Sequence, residues 1–592
     1  MELVRHRRLS RRAVIQLSLG GVAASLLGAC GPGPAPAAPA KPAEPAKPAE
    51  AAKPAAPTAT QPVAAAIKPG ESGGAATAAK PTEAAKPAAP AATQAPAASA
   101  KPAEAAKPAA AGAVKKGGKL IVGHVGDTSN FEPFIQHPTT FPYLEQIWDT
   151  PIRYDNEIKS LPSLAESWQL GQDGKSLTIK LRQGVKFSTG REFTADDLNF
   201  SVERAKDPKV GALFRPQADL VTRTEASDKY TAIWRFNSPF PGAFDLLARQ
   251  FVVDKDVIND TDWKKKLIGT GPFVWTDWQP GERSVLKKNA NFWDKDLPHL
   301  DEIEIKSFGD ASAMAASLEA GAVDIVARLP TQEVARLKDN PNIKVFQTPV
   351  RVMYDLLLQS QKPPFDNKLL RQAVNWAVDR ERFVRTVLAG LSVPTSQPFP
   401  AHSWAHFSEL DKAYTFNLEK AKELVAKAGY PNGLEITCMT ATARQKELAQ
   451  LAQIVAADLE KIGVRVKIED VEPAVFDPRH LGGDFQMATH AYGRANLDPS
   501  TMFRGAAAWH AGTGMTKFDT PEYRKLMEDA ESSYDTNERK PKYKKLIEYI
   551  QDESFVIPLA PNPEFYVMRK RVQGFSSDGE ANMSMRGVWL DG

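Results

Sequence analysis

Residues 176–182 alternate polar and apolar, with Leu177, Ile179 and Leu181 on one face, which predicts a half-buried strand. Trp168 and Leu170 lead into Gln172-Asp173-Gly174-Lys175, whose Asp-Gly pair is a strong hairpin-turn signal. Gly184 and Thr189-Gly190 punctuate a further short strand around Val185 and Phe187. Thr194 then predicts a helix N-cap, with Asp196 and Asp197 in the first turn, where the helix dipole favours carboxylates. Leu198, Val202 and Ala205 follow at helical spacing, and Asp207-Pro208 ends the run.

The same reading extends along the chain. Residues 119–123 predict a buried strand, 128–133 the loop after it, and 143–152 a helix with Leu144, Ile147 and Trp148 on one stripe. Residues 230–236 alternate as a strand, and 244–251 are helical in pattern. A helix over 311–320 ends at Gly321 before a short strand over 323–326. Asp366 is expected to cap a helix whose buried stripe is Leu370, Val374 and Ala377. Helices follow over 419–429 and 448–462, the second leading into an alternating strand over 464–468. Strands and helices in alternation predict α/β lobes with largely parallel sheets.

Composition changes the picture at the N-terminus. Arg5, Arg7, Arg8, Arg11 and Arg12 precede an apolar run, 14–29, that is too short and too Gly-interrupted for a membrane span, so 1–30 predicts an export signal. Arg11-Arg12 fits either a twin-arginine motif or an ordinary basic n-region. Leu27-Gly28-Ala29-Cys30 resembles a bacterial lipobox, which implies cleavage before Cys30 and its lipidation. Residues 31–117 are Ala, Pro, Lys, Glu and Thr, without the large apolar side chains that offset ordering entropy. They predict a disordered, polyproline-rich stalk reaching at most roughly 200 Å. Beyond it lie about 475 residues, more than the ~250–300 at which one core stops growing, so two or more lobes are expected. A net charge of +4 gives no basic surface for nucleic acid. Cys30 and Cys438 are the only cysteines, so lipidation would leave no intramolecular disulfide.

Three short motifs in order, residues 164–168 (LAESW), 173–187 (DGKSLTIKLRQGVKF) and 193–205 (FTADDLNFSVERA), closely resemble the signature of extracytoplasmic solute-binding proteins of ABC importers. The branch is the one that includes the oligopeptide, dipeptide and nickel receptors. Residues 268–275 (IGTGPFVW), the helix-Gly-strand unit ending at Val323-Asp324-Ile325, and 364–380 are similar to further motifs of the same family. The resemblance implies a periplasmic-binding-protein-like α/β fold with two ligand-closing lobes on a hinge and an inserted third lobe. Carried over, the first lobe is 118–155, 269–348 and 559–592, the insert 156–268, and the second lobe 349–558. It implies capture of peptide or another small solute outside the cell, delivery to a permease and ATPase complex, attachment to the membrane through the N-terminal lipid, and action as a monomer.

In peptide receptors of this family, the segment like 484–499 carries an aromatic and then an Asp that pairs with the peptide amine. Here Tyr492 stands at the aromatic position, Ala495 at the Asp position, and Asp498 at the later Asp-Pro pair. The amine anchor is absent from that match, and Arg494 could instead offer a fork to a carboxylate or phosphate, with Asn496 beside it. That opens the alternatives of an oligosaccharide, an opine-like compound or another anion. Trp404, Trp509, His510 and Arg504 are further wall candidates, or else lobe core.

Other chemistry finds little support. The stretch 112–120 misses the spacing and the hydroxyl of a phosphate-binding loop, so no nucleotide or other cofactor is expected. His402 and His406 have i, i+4 spacing without the Glu of a zinc protease, and His480, His490 and His510 are scattered. No Gly-x-Ser-x-Gly elbow occurs, and capping explains Asp196-Asp197. A hydrolase on the same scaffold and a sensor without transport remain as rival classes.

Overall fold

The computed structural model describes residues 114–127, 131–136, 140–155, 159–259, 266–493, 498–577 and 582–592. Cys30, the expected export signal and the expected stalk up to residue 113 lie outside the described residues, as do Arg494, Ala495 and Asn496.

Seven strands form the sheet of the first lobe, in the order Ile343–Gln347, Phe565–Arg569, Ile325–Ala327, Lys119–Val125, Glu302–Phe308, Arg283–Lys288 and Phe273–Gln279. Lys119–Val125 is parallel to both of its neighbours, and every other pairing in the sheet is antiparallel. The second lobe has five strands, in the order Val464–Asp470, Leu434–Thr440, Met487–Gly493, Val352–Leu358 and Val556–Asn562. Its first two pairings are parallel and its last two antiparallel. The inserted lobe carries a four-stranded antiparallel sheet, Ala165–Leu170, Ser176–Leu181, Thr231–Phe236 and Val221–Asp228. The sheets are therefore mixed rather than largely parallel. In the first lobe a hairpin turning at Gly281 (φ 76°) and the strand that returns through the hinge flank a parallel centre. In the second the antiparallel pairs lie on one side of the sheet, and the inserted sheet is antiparallel throughout.

The opening pattern is realised closely. Leu177, Ile179 and Leu181 are buried in the four-stranded sheet, and Gly174 takes φ 66° in the turn before them. Each such buried side chain stabilises the lobe by roughly 1.5–3 kcal/mol. Val185 and Phe187 are buried but outside any regular strand, with a single bridge from Lys186 to Glu192 beside them. The helix Ala195–Lys206 starts in a capping box in which Thr194 and Asp197 satisfy each other's backbone. Asp197 is wholly buried and also pairs with Arg191, whereas Asp196 is exposed, so the two adjacent carboxylates do not act as a pair.

Two local expectations shift. The first helix is Phe141–Ile147, and Trp148 is already extended (φ −119°, ψ 147°) because its indole donates to the Ile268 carbonyl at 3.0 Å. Here Gly269 and Gly271 let the chain approach the helix end: a Cβ at these positions would lie 1.9 Å from the Ile147 carbonyl oxygen and 2.7 Å from that of Gln146. Asn367, not Asp366, caps the helix Lys368–Ala377, since its side chain accepts from the Leu369 amide.

The chain crosses between lobes at 348–351 and returns at 563–564. The return expected at 558–559 falls inside the strand Val556–Asn562, whose apolar run pairs along Val352–Leu358 and so stays with the second lobe. Cys438 is buried in that lobe's core, which pushes its thiol up to about 12 and makes it inert.

Candidate functional site

The parallel strands of the first lobe end at Val125, Phe308 and Ala327, and those of the second at Thr440, Asp470 and Gly493. Both carboxyl edges abut the hinge, where Gln347 pairs with Phe565 on one side and Val352 with Asn562 on the other. Open α/β sheets bind ligands beyond such edges, so the hinge floor locates the candidate cleft.

Glu564 is the centre of that floor. The Thr348 amide and hydroxyl donate to its carbonyl at 3.0 and 3.3 Å, tying the two crossings together. Its carboxylate lies between Arg328, at the end of the strand Ile325–Ala327, and Arg351, whose Nη2 is 3.4 Å away. Both guanidiniums stand over the ring of Phe141, at 4.9 and 5.7 Å from its centroid. Burial alone would raise the Glu564 carboxyl, but Arg328 and Arg351 outweigh it and hold the group down at about 2. Arg328 adopts φ 57°, a left-handed conformation uncommon for a residue with a side chain. Sequence reasoning passed over this cluster because its members are far apart in the chain and carry no local motif.

The candidates beside the Met487–Gly493 strand serve largely in packing. Tyr492 is buried and donates its hydroxyl to the Pro398 carbonyl, with its ring edge-on to Trp509 at 5.4 Å. Trp509 is wholly buried among Tyr492, Phe503 and Phe555, a core residue rather than a cleft wall. His510 bonds the Arg504 carbonyl at 2.9 Å, and Arg504 itself pairs with Glu531. Trp404 is half-buried under the guanidinium of Arg539 and edge-on to Tyr543 at 5.3 Å. Asp498 caps the helix Pro499–Gly505 and holds Arg539 in a two-pronged pair at 2.6 and 2.7 Å, so its carboxylate is engaged within the protein. Arg494, Ala495 and Asn496, on which the question of an amine anchor turns, lie outside the described residues.

Asp498 also belongs to a polar seam between the second and inserted lobes. Its amide donates to Asp245 at 2.8 Å, and Asp245 accepts from Thr501 and Tyr154, both at 2.6 Å. Burial, then the neighbouring Asp498, raises the Asp245 carboxyl to about 7. Nearby, the Tyr534 hydroxyl donates to the Gly174 carbonyl and accepts from the Phe240 amide, both at 2.8 Å. The hairpin turn at Gly174 is thus a docking point for the second lobe.

Among the described residues, the histidines do not assemble a metal centre. His406 bonds Phe399 and Asp411, and His490 pairs with buried Asp355 at 2.8 Å. His480 stacks on Phe476, and burial drives it down to about 2, so it stays neutral. Among the described residues no three His, Cys, Asp or Glu side chains converge as a metal site, and no helix is long and apolar enough to cross a membrane.

Residues 159–512 match the family described as bacterial extracellular solute-binding proteins, family 5. Heme-binding protein A of Haemophilus influenzae is 28% identical over 463 residues, 73% of this chain and 84% of that protein. Di/tripeptide-binding protein 1 of Pseudomonas aeruginosa is 28% identical over 451 residues, covering 70% and 83%. Among solved structures, the ABC transporter-associated periplasmic binding protein DppA from Helicobacter pylori, in complex with peptide STSA, superposes with a TM-score of 0.70 at 27% identity. That likeness covers 81% of this chain and 99% of DppA.

Proposed function

This chain belongs to the bacterial extracellular solute-binding proteins of family 5, substrate-binding components of ABC importers, and we propose that it captures short peptides or a similar small solute and delivers them by hinge closure. The observation that carries this reading is the geometry at residues 348–351 and 563–564: two crossings join two sheets whose carboxyl edges meet at one floor. Ligand contacts from both edges would favour the closed state over the open one, which is how a receptor couples occupancy to shape. The family consists of binding proteins, and the engaged carboxylates at Asp197, Asp498 and Glu564 support binding rather than turnover.

Peptide as cargo draws on the relative named for di/tripeptides and on the structure holding peptide STSA. Ala495 at the expected amine-anchor position favours a second reading, a non-peptide solute such as an oligosaccharide or opine-like anion. The three-lobe division, lipidation at Cys30, the stalk over 31–117, action as a monomer and anchorage on the outer face of the cytoplasmic membrane complete the proposal.

Native mass spectrometry of the full chain tests the cargo. A co-purifying ladder of peptide masses is the expected result; a single sugar mass would replace peptide with the second reading.

A further inference from the structure

Arg328 has features that a merely structural arginine does not need. It lies one residue beyond the carboxyl end of Ile325–Ala327, on the edge where the parallel strands of the first lobe open onto the hinge. Its amide is pinned to the Phe565 carbonyl at 3.0 Å, next to the return crossing, and its φ of 57° costs on the order of 1–3 kcal/mol. Backbone strain of this kind persists where the surroundings hold a side chain in a required place. The side chain is 23% exposed, while Glu564, its only ion-pair partner among the described residues, is 9% exposed. One Nη2 donor goes to Glu564, and the Phe141 ring covers one face of the guanidinium at 4.9 Å. A planar fork braced in this way keeps further N–H donors for a second acceptor.

We propose that Arg328, braced by Glu564 and Phe141, receives an anionic group of the solute, so that the cargo carries a carboxylate at the hinge floor. The inference rests on the receptor function proposed above and adds a chemical class to it. Because Glu564 stays ionised, Arg328 is held in one orientation without a solute, and little side-chain entropy is lost when an anion docks. The hinge position gives the contact a second consequence. An anion bound there lies against both crossings, so its charge is read at the point about which the lobes move.

The test uses the full chain, freed of co-purified solute by partial unfolding and refolding. Two probes are compared by thermal shift and competition: a pool of di- to tetrapeptides, and the same pool methyl-esterified at its carboxyl groups. The native protein is expected to require at least roughly tenfold more of the esterified pool, the scale of one charge-assisted fork. Arg328→Gln should abolish that preference, whereas Arg336→Gln, on an exposed helix face, should keep it. Arg328→Lys preserves the charge that Glu564 needs and guards against a folding defect; it should lose part of the preference. A free-acid preference that survives Arg328→Gln, or a lysine variant indistinguishable from the native protein, overturns the inference. The two levels separate cleanly. If a non-peptide carboxylate co-purifies and its binding is lost in Arg328→Gln, the peptide reading falls and the anion site stands. If a neutral solute co-purifies, the anion site falls and the receptor stands, and binding of no solute at all would sink both.

Discussion

Replacing Arg539 with alanine is expected to destabilise the protein by about 3–5 kcal/mol, the range for breaking a buried ion pair from one side. Arg539 is 2% exposed and makes a two-pronged pair with Asp498, whose amide in turn holds Asp245 of the inserted lobe. Its guanidinium also stands over Trp404 at 5.0 Å and Tyr543 at 5.4 Å, so truncation removes packing as well as charge. What remains is a pair of neighbouring carboxylates, Asp498 and Asp245, with their counter-charge gone. Urea denaturation should show a lower midpoint with an unchanged slope, because the surface exposed on unfolding is the same. Arg539→Lys keeps one charge but not the fork and should fall between. A loss below about 1 kcal/mol would mean that the pair behaves as an exposed one and does not hold the seam.

The second large effect is in pH. The Asp245 carboxyl rises from 3.8 to about 7 because it is buried and faces Asp498; Tyr154, Thr501 and the Asp498 amide offset this only in part. Arg539 is the cation on the far side of Asp498. Between pH 3.8 and about 7 the folded protein therefore binds a proton that the unfolded chain has released, and stability falls as pH rises through that window. Glu531, raised to about 7 by burial against the pull of Arg504, has the same sign, and together they outweigh buried His480, whose depressed value of about 2 opposes them below about pH 6.5. The free energy of unfolding is expected to drop by on the order of 2–4 kcal/mol between pH 5 and 8. Asp245→Asn, neutral throughout, should remove a large part of that slope. Stability that is flat or rising over the same range would show that Asp245 is solvated or charged within the seam.

Local structure was legible wherever neighbours in sequence are neighbours in space. Leu177, Ile179 and Leu181 announce a strand because burial alternates with the pleat, and Thr194 announces a helix because its cap reaches only to Asp197. The hinge cluster could not be read that way. Arg328 and Glu564 are 236 residues apart, and neither sits in a motif. The same holds for Asp498, which reads as a cleft acid from the Asp-Pro beside it. Its partners, Arg539 and Asp245, come from a later helix and from another lobe. Trp509 and Tyr492 show the limit for aromatics: sequence marks them as large and amphipathic, but only packing decides between wall and core. Strand direction escapes the local pattern for a related reason. Alternation of strand and helix accounts for the parallel pairs of the two main sheets, while the antiparallel pairs are set by hairpins and by where the chain re-enters after crossing the hinge.

Closure on a solute is the claim on which all of this depends, and a distance across the cleft measures it directly. Spin labels at Ser312→Cys and Lys446→Cys, both exposed positions on helices that follow the carboxyl edges of their sheets, report on the two lobes, with Cys30 replaced by Ser so that it takes no label and buried Cys438 left unlabelled. In the solute-free protein, double electron–electron resonance should give a broad or longer distance that narrows and shortens when the peptide pool, or the solute identified by mass spectrometry, is added. A distance distribution unchanged by a solute that demonstrably binds would contradict the hinge-closing receptor.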